Sequence, residues 1–196
     1  MSWIPPVVSA WEKLSSTSRT LTWIYSRPYK QVVKNEIHFA GISSQDTVLN
    51  IGCGAVPFTA IYLATLTGAK VVALDKDPQA ARLATNCVHN LGLQHMIEVR
   101  AMDGSAFHDA GHSQHFTAAI VALQAAPKDR ILKGLQASTA AGSRLIFRLP
   151  SPAYQQHYDT LETDNSLNSW IRQPMRTFDR SVLYLQSTNN LLSGIH

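Results

Sequence analysis

The stretch Val48-Leu49-Asn50-Ile51-Gly52-Cys53-Gly54-Ala55-Val56-Pro57-Phe58-Thr59 decides the fold. An apolar run of strand length breaks into a glycine turn, and a helical pattern follows. Glycine lets the backbone turn sharply and lets a ligand approach with no Cβ in the way. In open α/β sheets, ligands sit beyond the carboxyl ends of the strands where the strand order reverses, and a turn after the first strand lies there. The third glycine of the dinucleotide fingerprint is missing from Gly54-Ala55-Val56-Pro57, which argues against a pyrophosphate cofactor.

Outward from the turn, strand-length runs alternate with helical periods. The predicted strands are Val48 to Ile51, Lys70 to Leu74, Ile97 to Ala101, Ala118 to Leu123 and Arg144 to Leu149. Pro57 to Thr67, Pro78 to Leu91 and Lys128 to Ala140 have helical spacing; Asp77-Pro78 reads as cap and first turn, and Ala141-Gly142 as a stop. Trp170 to Phe178 and Ser181 to Gln186, separated by Asp179-Arg180, read as an antiparallel hairpin. The expected architecture is α/β: a mostly parallel seven-stranded sheet flanked by helices and closed by that hairpin. Residues 1–41, with Trp3, Trp11, Trp23, Tyr25, Tyr29 and Phe39 among helix formers, are expected to form two or three short helices that serve as a lid. Residues 42–196 then form the ligand-binding domain.

The chain has 196 residues, enough for one domain with a proper core. It contains no apolar run of membrane-spanning length and no secretory pattern, and its two cysteines fit a reducing compartment, so a cytoplasmic protein is expected. The surplus of 17 Lys and Arg over 13 Asp and Glu is scattered in ones and twos. A phosphate-binding face would cluster them, so a nucleic-acid partner is not expected.

Two carboxylates complete the picture of a nucleoside site. Asp75 ends the second strand 21 residues beyond Gly54, where a carboxylate accepts both hydroxyls of a ribose. Asp103 follows the third strand, placed to accept from an adenine amino group while Met102 covers the ring.

Together, Val48 to Gly54 and Leu74-Asp75 resemble the class I S-adenosylmethionine-dependent methyltransferases, which have a Rossmann-like sheet. Gly52-Cys53-Gly54-Ala55-Val56-Pro57-Phe58-Thr59 is more similar to the Gly-x-Gly-x-x-Pro-x-Thr turn of the nicotianamine synthases. Asp75-Lys76-Asp77-Pro78 resembles their Asp-x-Asp-Pro. Lys128-Asp129 through Ala141-Gly142 to Arg148 resembles their charged helix, small-Gly turn and Arg-ended strand, and Tyr29 with Glu36 is similar to a Tyr and Glu pair in their preceding helix. The resemblance covers roughly residues 25 to 150. Where the family has Arg-Ser-Ala-His after the fifth strand, this chain has Arg148-Leu149-Pro150-Ser151, and its N-terminal helical part is short.

The resemblance implies S-adenosylmethionine as cosubstrate or sole substrate, bound by Gly52, Cys53, Gly54, Pro57, Asp75, Lys76, Met102, Asp103, Gly104 and Leu123. It implies transfer of the 3-amino-3-carboxypropyl group with release of methylthioadenosine. The acceptor is a small amine, or the substrate's own α-amino group, which would close a ring to azetidine-2-carboxylate. An ordinary small-molecule methyltransferase and a non-enzymatic adenosyl binder remain alternatives. Tyr29 and Glu36 are the catalytic candidates. On one helix, seven residues apart, they share a face about 10 Å apart along the axis, Glu36 to hold and deprotonate the amine and Tyr29 to face the sulfonium. The plainer alternative packs Tyr29 with Val32 and Val33 and leaves Glu36 in solvent.

No metal is expected. His108, His112 and His115 have helical spacing, but Gly111, Ser113 and Gln114 among them read as a loop. Cys53 has no histidine placed nearby by sequence and is not read as a nucleophile. Arg148 either grips a carboxylate or lies on the surface.

Overall fold

A computed structural model describes residues 27–107, 115–161 and 169–186. Its first helix, α1 (Arg27–Ala40), precedes β1 (Thr47–Ile51), α2 (Phe58–Thr67), β2 (Lys70–Asp75), α3 (Pro78–Asn90) and β3 (Ile97–Ala101). After a 3-10 turn at Gly104–Ala106 come β4 (Ala118–Val121), α4 (Lys128–Ser138) and β5 (Arg144–Pro150), then β6 (Ser169–Arg172) and β7 (Phe178–Leu185). The rest of the expected lid, including Trp3, Trp11, Trp23 and Tyr25, lies outside the described residues, as do His108 and His112; His115 is exposed.

The seven strands form one sheet in the order β3-β2-β1-β4-β5-β7-β6. β1 pairs in parallel with both β2 and β4, so the strand order reverses beside the glycine turn, as the sequence predicts. The central strands are continuous apolar runs because helices cover both their faces. On the α1 and α2 side, Val48, Ile120 and Ile146 pack with Val33, Ala60 and Leu63. On the α4 side, Leu49, Val121 and Phe147 pack with Ile131 and Leu135. Each of these large buried side chains is worth about 1.5–3 kcal/mol relative to exposure.

Local signals set the helix boundaries. Asp77 accepts a hydrogen bond from the Gln79 amide at 2.8 Å and Pro78 supplies the first turn of α3. The carboxyl end of α1 is fixed from a distance: the Arg144 guanidinium donates to the carbonyls of Ala40 (3.1 Å) and Gly41 (3.0 Å) and pairs with Asp46.

The hairpin exists, but its turn lies elsewhere than expected. β6 and β7 are joined across Gln173 to Thr177, where Pro174 has no N–H to donate. Asp179 and Arg180 lie inside β7. Leu149 pairs with Arg180 and Pro150 with Phe178, so Asp179 is the extra residue of a β-bulge. A polar dipeptide between apolar runs marks a bulge as readily as a turn. Among the described residues, no helix is long and apolar enough to cross a membrane.

Candidate active site

Four strand ends and the start of α4 enclose a cleft lined by Ile51 and Gly52 at the end of β1, Asp75 and Lys76 at the end of β2, Met102 to Gly104 after β3, Gln124 to Ala126 after β4, and Ile131 of α4. The turn after β1 is tied to β2, because the Gly52 and Cys53 amides both donate to the Leu74 carbonyl, at 2.8 and 2.9 Å. Gly52 has φ +78, and a Cβ there would stand 3.2 Å from the Ala122 Cβ; it serves both turn and close approach.

Six of the ten residues predicted to bind a nucleoside line the cleft: Gly52, Asp75, Lys76, Met102, Asp103 and Gly104. Asp75 is aimed by its neighbours. One oxygen accepts from the Gly54 amide at 2.7 Å and the other from the Asp77 amide at 3.1 Å. A carboxylate has about four acceptor positions, so each oxygen keeps one for a further donor. Asp103 accepts from the Ser105 amide at 2.8 Å. That hydrogen bond, with the nearby Lys76 and Arg130 charges assisting, holds its carboxyl below the usual range, so it is an acceptor at neutral pH. Met102 packs against the core beneath it.

The other four predicted residues do not line this cleft. The Gly54 amide is committed to Asp75. Pro57 is buried at the start of α2. The Cys53 side chain belongs to the core under α1 and α2, and burial with the Asp75 charge pushes its thiol up to about 12, which makes it unreactive. Leu123 turns to the opposite side and packs with Val32 and Phe178. Gln124, its exposed neighbour, takes the lining position instead. The predicted strand ran two residues too far there: β4 stops at Val121, and the chain turns before Pro127. Gly104 has a reason beyond the ligand, since a Cβ on it would meet Ile51 Cγ2 at 2.3 Å.

Beyond the sheet on the α1 side, the structure joins Glu36 to Arg148. The Arg148 Nε donates to Glu36 Oε1 at 2.9 Å and Nη2 to Oε2 at 2.8 Å, and the pair is buried, 0% exposed for Glu36 and 3% for Arg148. Both readings left open for these residues narrow at once: Glu36 is not in solvent and Arg148 is not on the surface. The Ser181 hydroxyl donates to Glu36 Oε1 at 2.8 Å and accepts from Gln173, whose own carbonyl accepts from Asn35 at 3.1 Å. Arg148 also lies over the Phe178 ring, 5.6 Å from its centroid. The Glu36 carboxylate raises the Arg148 guanidinium above its ordinary range despite the cost of burial. The Tyr29 ring stacks on Phe58 with centroids 5.8 Å apart and packs against the core cluster that contains Val33. Ser181 and Gln173 have no motif that reveals them in sequence. Among the described residues, no group of His, Cys, Asp and Glu could hold a metal ion.

The family model described as nicotianamine synthase protein matches residues 19–172. A Yersinia pestis protein named L-histidine 2-aminobutanoyltransferase is 37% identical over 84 residues, which are 43% of this chain and 31% of that protein. A Pseudomonas aeruginosa protein of the same name is 26% identical over 116 residues, 59% of this chain and 43% of the relative. The chain therefore matches well under half the length of these relatives. Among solved structures, MtNAS in complex with MTA and tNA superposes with a TM-score of 0.70 at 23% identity, over 90% of this chain and 68% of that one. An RNA methyltransferase from Salinibacter ruber gives 0.55 at 15% identity, over 81% and 92%. These likenesses establish the methyltransferase-type fold.

Proposed function

Because the chain belongs to the nicotianamine synthase family, we propose that it is an S-adenosylmethionine-dependent transferase that uses the 3-amino-3-carboxypropyl group. The adenosine half sits in the strand-end cleft, with the ribose on Asp75 and the adenine between Met102 and Asp103. The observation that carries this placement is the pair of free acceptor positions on an Asp75 already oriented by the Gly54 and Asp77 amides. Cytoplasmic residence is part of the same proposal.

S-adenosylmethionine supplies a sulfonium whose γ-carbon an amine nitrogen can attack. The new C–N bond takes the nitrogen lone pair, the C–S bond pair returns to sulfur, methylthioadenosine leaves, and the nitrogen loses a proton. The chain's task is to hold nitrogen and carbon in line. Glu36 has three of its roughly four acceptor positions filled, two by Arg148 and one by Ser181, which leaves one on Oε2 for the amine. A carboxylate committed to a guanidinium is a poor proton sink but still accepts an N–H from a neutral amine, so the ion pair favours holding over deprotonation as the role of Glu36, and the proton shed by the nitrogen passes to water. Tyr29, its ring stacked on Phe58, faces the sulfonium.

Two acceptors fit. The curated relatives' name couples a 2-aminobutanoyl group to L-histidine, so a free amino acid is one. The α-amino group of S-adenosylmethionine itself, closing to azetidine-2-carboxylate, is the other. Incubation with S-adenosylmethionine, with and without L-histidine, and mass analysis of the amino-acid products decides. An aminobutanoyl adduct supports transfer, azetidine-2-carboxylate supports cyclisation, and a methylated product would overturn both in favour of a small-molecule methyltransferase.

A further inference from the structure

The turn that forms the fourth wall of the cleft is held by a buried cation. Lys128, the first residue of α4, is fully buried, and its Nζ donates to the carbonyls of Leu123 at 2.6 Å and Ala125 at 2.8 Å. These carbonyls flank Gln124, so one ammonium closes the loop whose middle residue lines the cleft. The anchor is itself anchored: the Lys128 amide, at the open start of α4, donates to Asp159 at 2.6 Å, a carboxylate supplied from 31 residues away. On its inner side the same turn rests on Gly52, where a Cβ would crowd Ala122 and Ala125. Two carbonyls that face inward at a turn must be satisfied or the turn rearranges. Lysine suits both, because one ammonium carries three donors on a stem long enough to reach back past Pro127.

We propose that Lys128 is the positioning residue of the nucleoside cleft: by tying the Leu123 and Ala125 carbonyls it sets Gln124 and Ala125 against the adenine, and so governs affinity for the adenosyl group and not the chemical step. The inference rests on the placement of adenosine proposed above. Its mark is a split between binding and catalysis. Removing the ammonium loosens one wall for substrate and transition state alike, which raises KM and leaves kcat.

The test is Lys128→Met, which keeps the length and apolar stem and deletes the donors. By calorimetry, the dissociation constant for methylthioadenosine is expected to rise roughly tenfold, about what the loss of one or two hydrogen bonds is worth. The KM for S-adenosylmethionine rises in parallel and kcat changes by less than about twofold. Wild-type binding matched by the variant overturns this inference alone. A fall in kcat at unchanged affinity overturns it too. Failure of the wild type to bind methylthioadenosine overturns the adenosine placement and this inference with it. Should the variant not fold, amide exchange on the wild type decides: methylthioadenosine is expected to slow exchange at Gln124 to Ala125, and no change there contradicts the proposal.

Discussion

Glu36 and Arg148 are separated by 112 residues, yet two parallel hydrogen bonds join them in a dry setting. On the proposed role of Glu36, removing its charge weakens the hold on the amine. Glu36→Gln is expected to cut turnover by at least about 100-fold while methylthioadenosine affinity stays within about twofold, because Glu36 is not in the adenosine cleft. Steady-state kinetics and calorimetry on one preparation check both. Lys128 makes a different residue-scale prediction, on stability. Burial lowers its ammonium to about 8, against the ordinary value of 10.5, and the Asp159 charge opposes this only in part. A base whose folded value is depressed costs stability in full below the folded value and recovers it as pH rises toward the unfolded one. The unfolding free energy of the wild type, measured against Lys128→Met by urea denaturation, should therefore improve by roughly 2 kcal/mol between about pH 7.5 and 9.5. A flat or falling difference would contradict the assignment.

At the scale of elements, the cleft depends on how closely the end of β1 meets the turn after β3. Gly104 permits that contact, and Gly104→Ala would drive a Cβ into Ile51. It is expected to cost about 1–3 kcal/mol in thermal or urea unfolding and to weaken methylthioadenosine binding, since Met102 and Asp103 move with the turn. Much of this scale was legible in the chain. β1, the glycine turn and α2 follow from local pattern, as do Asp77-Pro78 at the start of α3 and, from the alternation of strands with helices, the mostly parallel sense of the sheet. What was not legible is what long-range pairing decides. Asp179-Arg180 has turn composition, but the cross-strand register makes Asp179 a bulge. Leu123 ends an apolar run, yet the chain has already left the strand after Val121, and Gln124, not Leu123, lines the cleft. Glu36 and Arg148 were each singled out, but nothing local tells either of the other.

Over the whole molecule, two features stand out: the proposed adenosine cleft at the switch between β1 and β4, and the buried ion pair of Glu36 on α1 with Arg148 on β5. A methyltransferase needs only the first. The account turns on the second, the proposed anchor for the amine that attacks the aminocarboxypropyl chain. The most direct measurement is the identity of the nucleoside released when the purified protein turns over S-adenosylmethionine, read by mass spectrometry with and without a small amino-acid acceptor. The account predicts methylthioadenosine, at a rate that Glu36→Gln abolishes. S-adenosylhomocysteine, or no nucleoside under either condition, would contradict it.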